Sequence, residues 1–498
     1  MKNKLLSMIF LATLLATLLT TSACSIFKSS TEKERTPSSF SDTLFSDIIN
    51  DITARYQTLT ADTSQCAIDM QKSYERLFNL VGSSVYFDMD DQNILDKDIQ
   101  RSFEARLLLK ESIRHFEIEN EEDKRCFAAI ADVSKALRYV EDYMVEMRMS
   151  RTQNAPQNYV NMQGEFPYLL VNPQYAREVK SHQDLKSGDV ILSRGNAYTS
   201  AAIARIGESD YQFSHLSFVY RDPKNENTPY TTEAHIEVGV VTAHFVEHLN
   251  EKNSRSVVFR YRGDPQIIHQ ASEYTFNYVK NKMQSGKNIE YDFAMNYQDD
   301  SRIFCSEVLS NGLHHVLPNE DYVPKFKSHF DRGLIPFLNN LGVPVTKENV
   351  ATTDVFSPGD IQFDPQFDLV MEWRNPLKMQ ESRFKDFILT KLFEKMSKEN
   401  YVIDSTIIMD AQAKTSWLLR RIPIVKKLLE KKFPLNMNPT QIKMFVSLDK
   451  IGEALYREIE SKAQVADHSL TPKEIYNVID NYLAKNPKEI SKYFHRAR

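Results

Sequence analysis

Glycine is unevenly placed in this chain, and its placement divides the sequence. Of the 13 glycines, 11 fall between Gly164 and Gly359. Glycine accepts backbone dihedrals that other residues avoid, so it marks tight turns and close backbone approaches. A glycine-punctuated centre therefore predicts strands, turns and a site, and the glycine-poor flanks predict helices. With 42% hydrophobic and 26% charged residues, a largely disordered chain is excluded. A length of 498 residues exceeds one ordinary domain. The net charge of −5 supplies no whole-molecule basic field, so nucleic acid is not an expected partner.

The first residues read as an address. Lys2 and Lys4 precede an apolar run from Leu5 to Leu19, and Thr20-Thr21-Ser22-Ala23-Cys24 follows. A basic start, an apolar stretch and small residues before a cut are secretory-signal features. The cysteine after the small residues resembles a bacterial lipoprotein signal. That resemblance implies removal of residues 1–23 and lipidation of Cys24, with Ser25 favouring the outer membrane. The alternative is an uncleaved anchor, since the 19 residues Leu5 to Ala23 could span a bilayer. Residues 24–43 read as a flexible tether rich in Ser, Thr, Lys and Pro. The expected location is the cell envelope, facing the periplasm, with the membrane reached through the lipid.

Beyond Cys24 the chain has Cys66, Cys126 and Cys305. The first two fall in a segment, residues 44–150, with helical periodicity: Tyr74, Leu77, Leu80 and Val81, then Val133, Leu137, Val140 and Met144. In an oxidising compartment a Cys66–Cys126 disulfide and two free thiols are both open. Cys305 is the odd thiol, and an unpaired thiol there is buried or used.

The central segment, residues 160–374, alternates. In the run Phe213 to Tyr220, Leu216, Phe218 and Tyr220 share one strand face and His215 and Ser217 the other. In the strand expected from Thr232 to Val238, Ala234, Ile236 and Val238 face a core, and Glu233, His235 and Glu237 line the opposite side. Further strands are expected near Asp189 to Ser193 and Ser256 to Tyr261, and a helix near Gln270 to Met283. An antiparallel hairpin would set His215 beside that row of polar residues. Further on, Leu309, Leu313, Val316 and Leu317 repeat at helix spacing behind Asp299, Asp300 and Ser301 as capping candidates. This puts Cys305 in or near a first helical turn, where N–H groups and the helix dipole favour a thiolate. A thiol, an imidazole and a carboxylate are the groups nucleophilic acyl transfer needs.

Five elements strengthen this reading: Ser187-Gly188-Asp189-Val190-Ile191, Ser214-His215-Leu216-Ser217-Phe218-Val219, Glu233-Ala234, Gly286-Lys287 through Tyr291-Asp292-Phe293, and Phe304-Cys305-Ser306-Glu307-Val308. Together with the later Ser357-Pro358-Gly359-Asp360-Ile361, their order resembles the YiiX/YebB-type cysteine hydrolases. Those are circularly permuted members of the papain-like NlpC superfamily, distantly related to lecithin:retinol acyltransferase. The resemblance implies an α+β fold, with an antiparallel β-sheet and a nucleophile helix, flanked by helical regions. It implies Cys305 as nucleophile, His215 as base and Glu233 as orienting acid, in a cysteine peptidase or amidase that uses no cofactor and no metal. His235 and Glu237 remain alternatives for the orienting role, ranked after Glu233, and together with Tyr291 they are weaker substrate-binding candidates. Envelope peptide, peptidoglycan or lipid is the implied substrate class.

Two rivals stand beside it. His244-Phe245-Val246-Glu247-His248 matches the H-x-x-E-H pattern of inverted zinc peptidases, which requires both histidines on one helix face. A non-catalytic envelope protein could also use such a fold only to bind. The last segment, residues 375–498, reads as helical. Its stretch from Trp417 to Lys432 mixes apolar and basic residues, which suits either a packed bundle helix or an anionic membrane surface.

Overall fold

The computed structural model describes residues 40 to 497 except 57–58, 60–61, 82–91, 118, 152–161, 225–228, 247–252, 297–300, 319–321, 323, 404–412, 416 and 419–435. The signal segment, Cys24, Glu247, His248, Asp299, Asp300 and most of the basic stretch before Lys432 lie outside the described residues. No helix among the described residues is long and apolar enough to cross a membrane.

Four helices open the described chain: α1 (Phe40–Arg55), α2 (Thr63–Val81), α3 (Gln92–Ser112) and α4 (Glu121–Arg151). Helix α1 begins inside the stretch expected as tether. Leu77, Leu80, Val133, Leu137, Val140 and Met144 are buried, as their spacing requires. A Cys66–Cys126 disulfide joins α2 to α4, with Cα atoms 5.4 Å apart.

The centre is a seven-stranded antiparallel sheet. Its strands in chain order are β1 (Leu169–Val171), β2 (Val190–Gly195), β3 (His215–Tyr220), β4 (Tyr230–His235), β5 (Gly239–His244), β6 (Asn253–Tyr261) and β7 (Phe367–Arg374). Their spatial order is β1-β7-β6-β2-β3-β4-β5. Helices α5 (Pro265–Gln284) and α6 (Glu307–Val316) follow β6 in the chain. Pro265 at the first turn and the Asp264 side chain, which accepts from the Gln266 N–H, start α5. Beyond the sheet come α7 (Pro376–Glu399), α8 (Pro439–Val465) and α9 (Pro472–Lys485). The architecture is thus mixed α and β.

The sheet is buried on both faces. Leu192, Leu216, Phe218, Ala234 and Val257 join the large core that also contains Val279 of α5 and Leu309 of α6. Ile191, Val219, Val258 and Trp373 form a second core with Leu169, Val179 and Leu185. Period-two alternation assigns the two sets to opposite faces. Tyr220 and Tyr230 pack against Phe276 of α5, with centroids 4.8 and 5.0 Å away. The even-numbered residues of β3 and β4 therefore face α5, and His215, Ser217, Glu233 and His235 leave by the other side.

One expected strand is cut short. It was to run from Thr232 to Val238 with Val238 in the core. Instead β4 ends at His235, residues 236–238 turn, and β5 starts at Gly239 opposite His235. Val238 is 47% exposed. Gly239 has φ of +76°, and a Cβ there would sit 2.2 Å from the Ile289 carbonyl oxygen. Both facts require glycine at that turn.

The helical flanks are tied to the sheet by buried charge. Glu372 of β7 pairs with Arg106 of α3 at 2.9 Å, Arg138 of α4 at 3.1 Å and Arg374 at 2.7 Å. Glu141 of α4 takes Arg106 and Arg374, each at 2.6 Å. Glu146 of α4 accepts from Arg383 of α7 at 2.7 Å. One hydrophobic core runs from Phe45 to Phe494, so the three sequence segments share a single interior.

Candidate active site

Strands β3 and β4 pair with Ser217 opposite Glu233 and Tyr220 opposite Tyr230. Extending that register by two residues sets His235 across from His215, and the two rings lie 4.8 Å apart between centroids. Glu233 is then the diagonal neighbour of His215. Its Oε2 lies 2.7 Å from His215 Nε2 and 3.3 Å from His235 Nε2. The carboxylate is 1% exposed, whereas the two imidazoles are 17% and 18% exposed. A buried carboxylate thus touches two rings that reach partly into solvent. Glu237 lies in the turn beyond β4 and is exposed.

Cys305 approaches from the other face. It directly precedes Ser306, the N-cap of α6, so it lies two positions before the first helical residue, Glu307, and near the first turn rather than in it. Ser301, a capping candidate in the sequence, sits before the two-residue strand Arg302–Ile303 and is not the N-cap of α6. The start of α6 is held instead by Glu307, whose Oε2 accepts from the Phe304 N–H at 2.7 Å. Gly312 lets α6 lie close on α5, because a Cβ there would be 2.4 Å from Thr275 Oγ1.

Cys305 is 4% exposed. Burial pushes its thiol up to about 11, against the opposing pull of the Ser306 hydroxyl and the backbone N–H groups of Leu216 and Ser306. This corrects the expectation of a helix-stabilised thiolate: desolvation exceeds the pull of the N–H groups. The Leu216 N–H places the sulfur beside β3, one residue from His215. His215 is not among the groups acting most strongly on the thiol.

Tyr291 is buried beside the thiol. Burial raises its hydroxyl well above the usual tyrosine value, and the Cys305 thiol, once ionised, adds to this with Asp292 and Glu237. Its carbonyl accepts from Asn436 Nδ2 at 2.9 Å, which brings the segment before α8 against the site. Asn436 carries no signal in the sequence. Of the zinc-peptidase pattern, His244 is the last residue of strand β5, with its ring tilted against Tyr230 at 4.6 Å between centroids, and Glu247 and His248 lie outside the described residues.

No protein-family model matches the chain, and no curated protein matches it. Among solved structures it is similar to the metalloprotein YiiX of Escherichia coli O157:H7, at 21% identity and a TM-score of 0.27. That similarity covers 37% of this chain and 96% of the other.

Proposed function

We propose that the chain is a cysteine-dependent acyl-transfer hydrolase of the bacterial cell envelope, lipidated at Cys24, whose centre is a circularly permuted papain-like domain. The supporting observation is the 2.7 Å contact between His215 Nε2 and Glu233 Oε2. A carboxylate on Nε2 fixes the ring tautomer and leaves Nδ1 as the nitrogen that exchanges a proton with a thiol. Cys305, held at the backbone N–H of the next residue, Leu216, is the free cysteine among the described residues.

At rest the thiol is neutral. As sulfur bonds to the substrate carbonyl carbon, His215 Nδ1 takes the thiol proton and Glu233 supports the imidazolium. The carbonyl oxygen gathers negative charge near the Cys305 backbone N–H. The imidazolium then protonates the leaving amine or alcohol. Water, giving its proton to His215, releases the acid from the thioester. The reaction requires a conformation in which His215 Nδ1 and Cys305 Sγ meet around the end of β3.

Native, Cys305→Ala and His215→Ala proteins should be compared on peptidoglycan peptides, acyl amides and lipid esters. Hydrolysis of one class should fall by at least about 10³-fold in each variant. Equal turnover by native and Cys305→Ala protein on every class sinks the proposal and leaves a binding protein.

A further inference from the structure

We propose that His215, Glu233 and His235 bind one divalent metal ion of the zinc class, and that the bound ion switches the thiol chemistry off. The second half rests on the hydrolase reading; the first does not.

One ligand atom from each of the three residues lies within 4.8 Å of the other two. Both imidazoles present Nε2 to the same carboxylate oxygen, at 2.7 and 3.3 Å. A tetrahedral zinc ion with bonds of about 2.0–2.1 Å separates its ligands by roughly 3.3 Å. The His235–Glu233 contact already has that spacing, and the His215–Glu233 contact must open by about 0.6 Å to reach it. Two paired antiparallel strands supply all three groups, so the set is rigid in register. Two imidazole nitrogens and one carboxylate oxygen suit zinc, cobalt or nickel better than calcium or magnesium, which take oxygen ligands. The partly exposed rings give an ion a route in and leave room for water as a fourth ligand.

Coordination through Nε2 changes what His215 can do. A ring bound to metal at Nε2 carries its remaining proton on Nδ1, which then donates and cannot accept. Glu233, bound to the same ion, no longer supports an imidazolium. The metal and the Cys305 proton transfer therefore compete for one ring.

The test uses the full chain, stripped with chelator and titrated with zinc chloride by calorimetry, with cobalt spectra as a second readout. One ion per chain is expected. Cys305→Ser protein should bind zinc as the native chain does and show no thiolate-to-cobalt absorption. His235→Gln protein should bind at least about 10-fold more weakly, with an unchanged thermal melt of the metal-free protein. No stoichiometric binding by the native chain, undiminished binding by His235→Gln, or loss of binding in Cys305→Ser overturns the site. Zinc should also abolish the Cys305-dependent hydrolysis, and chelator should restore it. Full activity of the zinc-saturated chain, or activity that needs zinc and survives Cys305→Ser, overturns the switch. Zinc binding without any thiol hydrolysis in the metal-free chain keeps the site and removes the hydrolase. Hydrolysis with no zinc binding does the reverse.

Discussion

With burial holding the Cys305 thiol at about 11, only about one molecule in 10⁴ carries a thiolate at pH 7. The thiolate is the form that alkylates, so the rate of Cys305 modification by iodoacetamide should climb about tenfold per pH unit between pH 7 and 10. A preformed thiolate–imidazolium pair would instead give a nearly flat profile above pH 5 or so. Mass-spectrometric counting of alkylated Cys305 against pH separates the two, and a flat profile overturns the neutral resting thiol. The residues of this site differ in how far the sequence exposed them. His215 and Glu233 were visible because strand alternation is a local, period-two property. The state of Cys305 was not, because the thiol is 4% exposed and its Leu216 N–H partner lies on a strand about ninety residues earlier, and neither follows from a local pattern.

Between single residues and the whole chain stand paired elements, and α2 with α4 is the clearest pair. Their packed faces followed from helical periodicity, whereas the disulfide between them rested on proximity that spacing alone does not supply. Cys66 and Cys126 close a loop with a sequence separation of 60. Loop-closure entropy for that length corresponds to about 4 kcal/mol, with observed values commonly 2–4 kcal/mol. Serine at both positions should lower the unfolding free energy by that amount in a guanidinium titration, and an unchanged midpoint would show the link to be structurally idle. The hairpin of β4 and β5 teaches the opposite lesson about local pattern. Alternation from Thr232 ran smoothly through Val238, yet the strand stops at His235. The deciding contact is Gly239 against the Ile289 carbonyl, 50 residues away in the chain. Where a turn is set by such a contact, hydrophobic period alone overruns it.

Across the whole molecule the helical flanks and the sheet cohere through charges that no local pattern could pair, since Arg138 and Glu372 are 234 positions apart. Burial alone would raise the Glu372 carboxyl, but Arg106, Arg138 and Arg374 outweigh it and hold it far below the usual carboxylate range. A carboxyl with a depressed folded value binds fewer protons in the native state than in the unfolded one. Its contribution is therefore complete above the unfolded value of 4.5 and is lost as pH falls from there toward the folded value. Glu372→Gln removes the carboxylate and leaves three buried guanidiniums short of a counter-charge, a change that costs about 3–5 kcal/mol in such sites. Urea unfolding of native and Glu372→Gln proteins should show that gap at pH 7 and a narrowing gap at pH 4 and then pH 3. The other carboxylates titrate in both proteins and largely cancel in the difference. The direction of the change is what matters: a gap that stays constant from pH 7 to 3 would mean that Glu372 packs without acting as the ion that joins α3, α4 and β7. In that case the shared hydrophobic core alone would hold the flanks to the sheet.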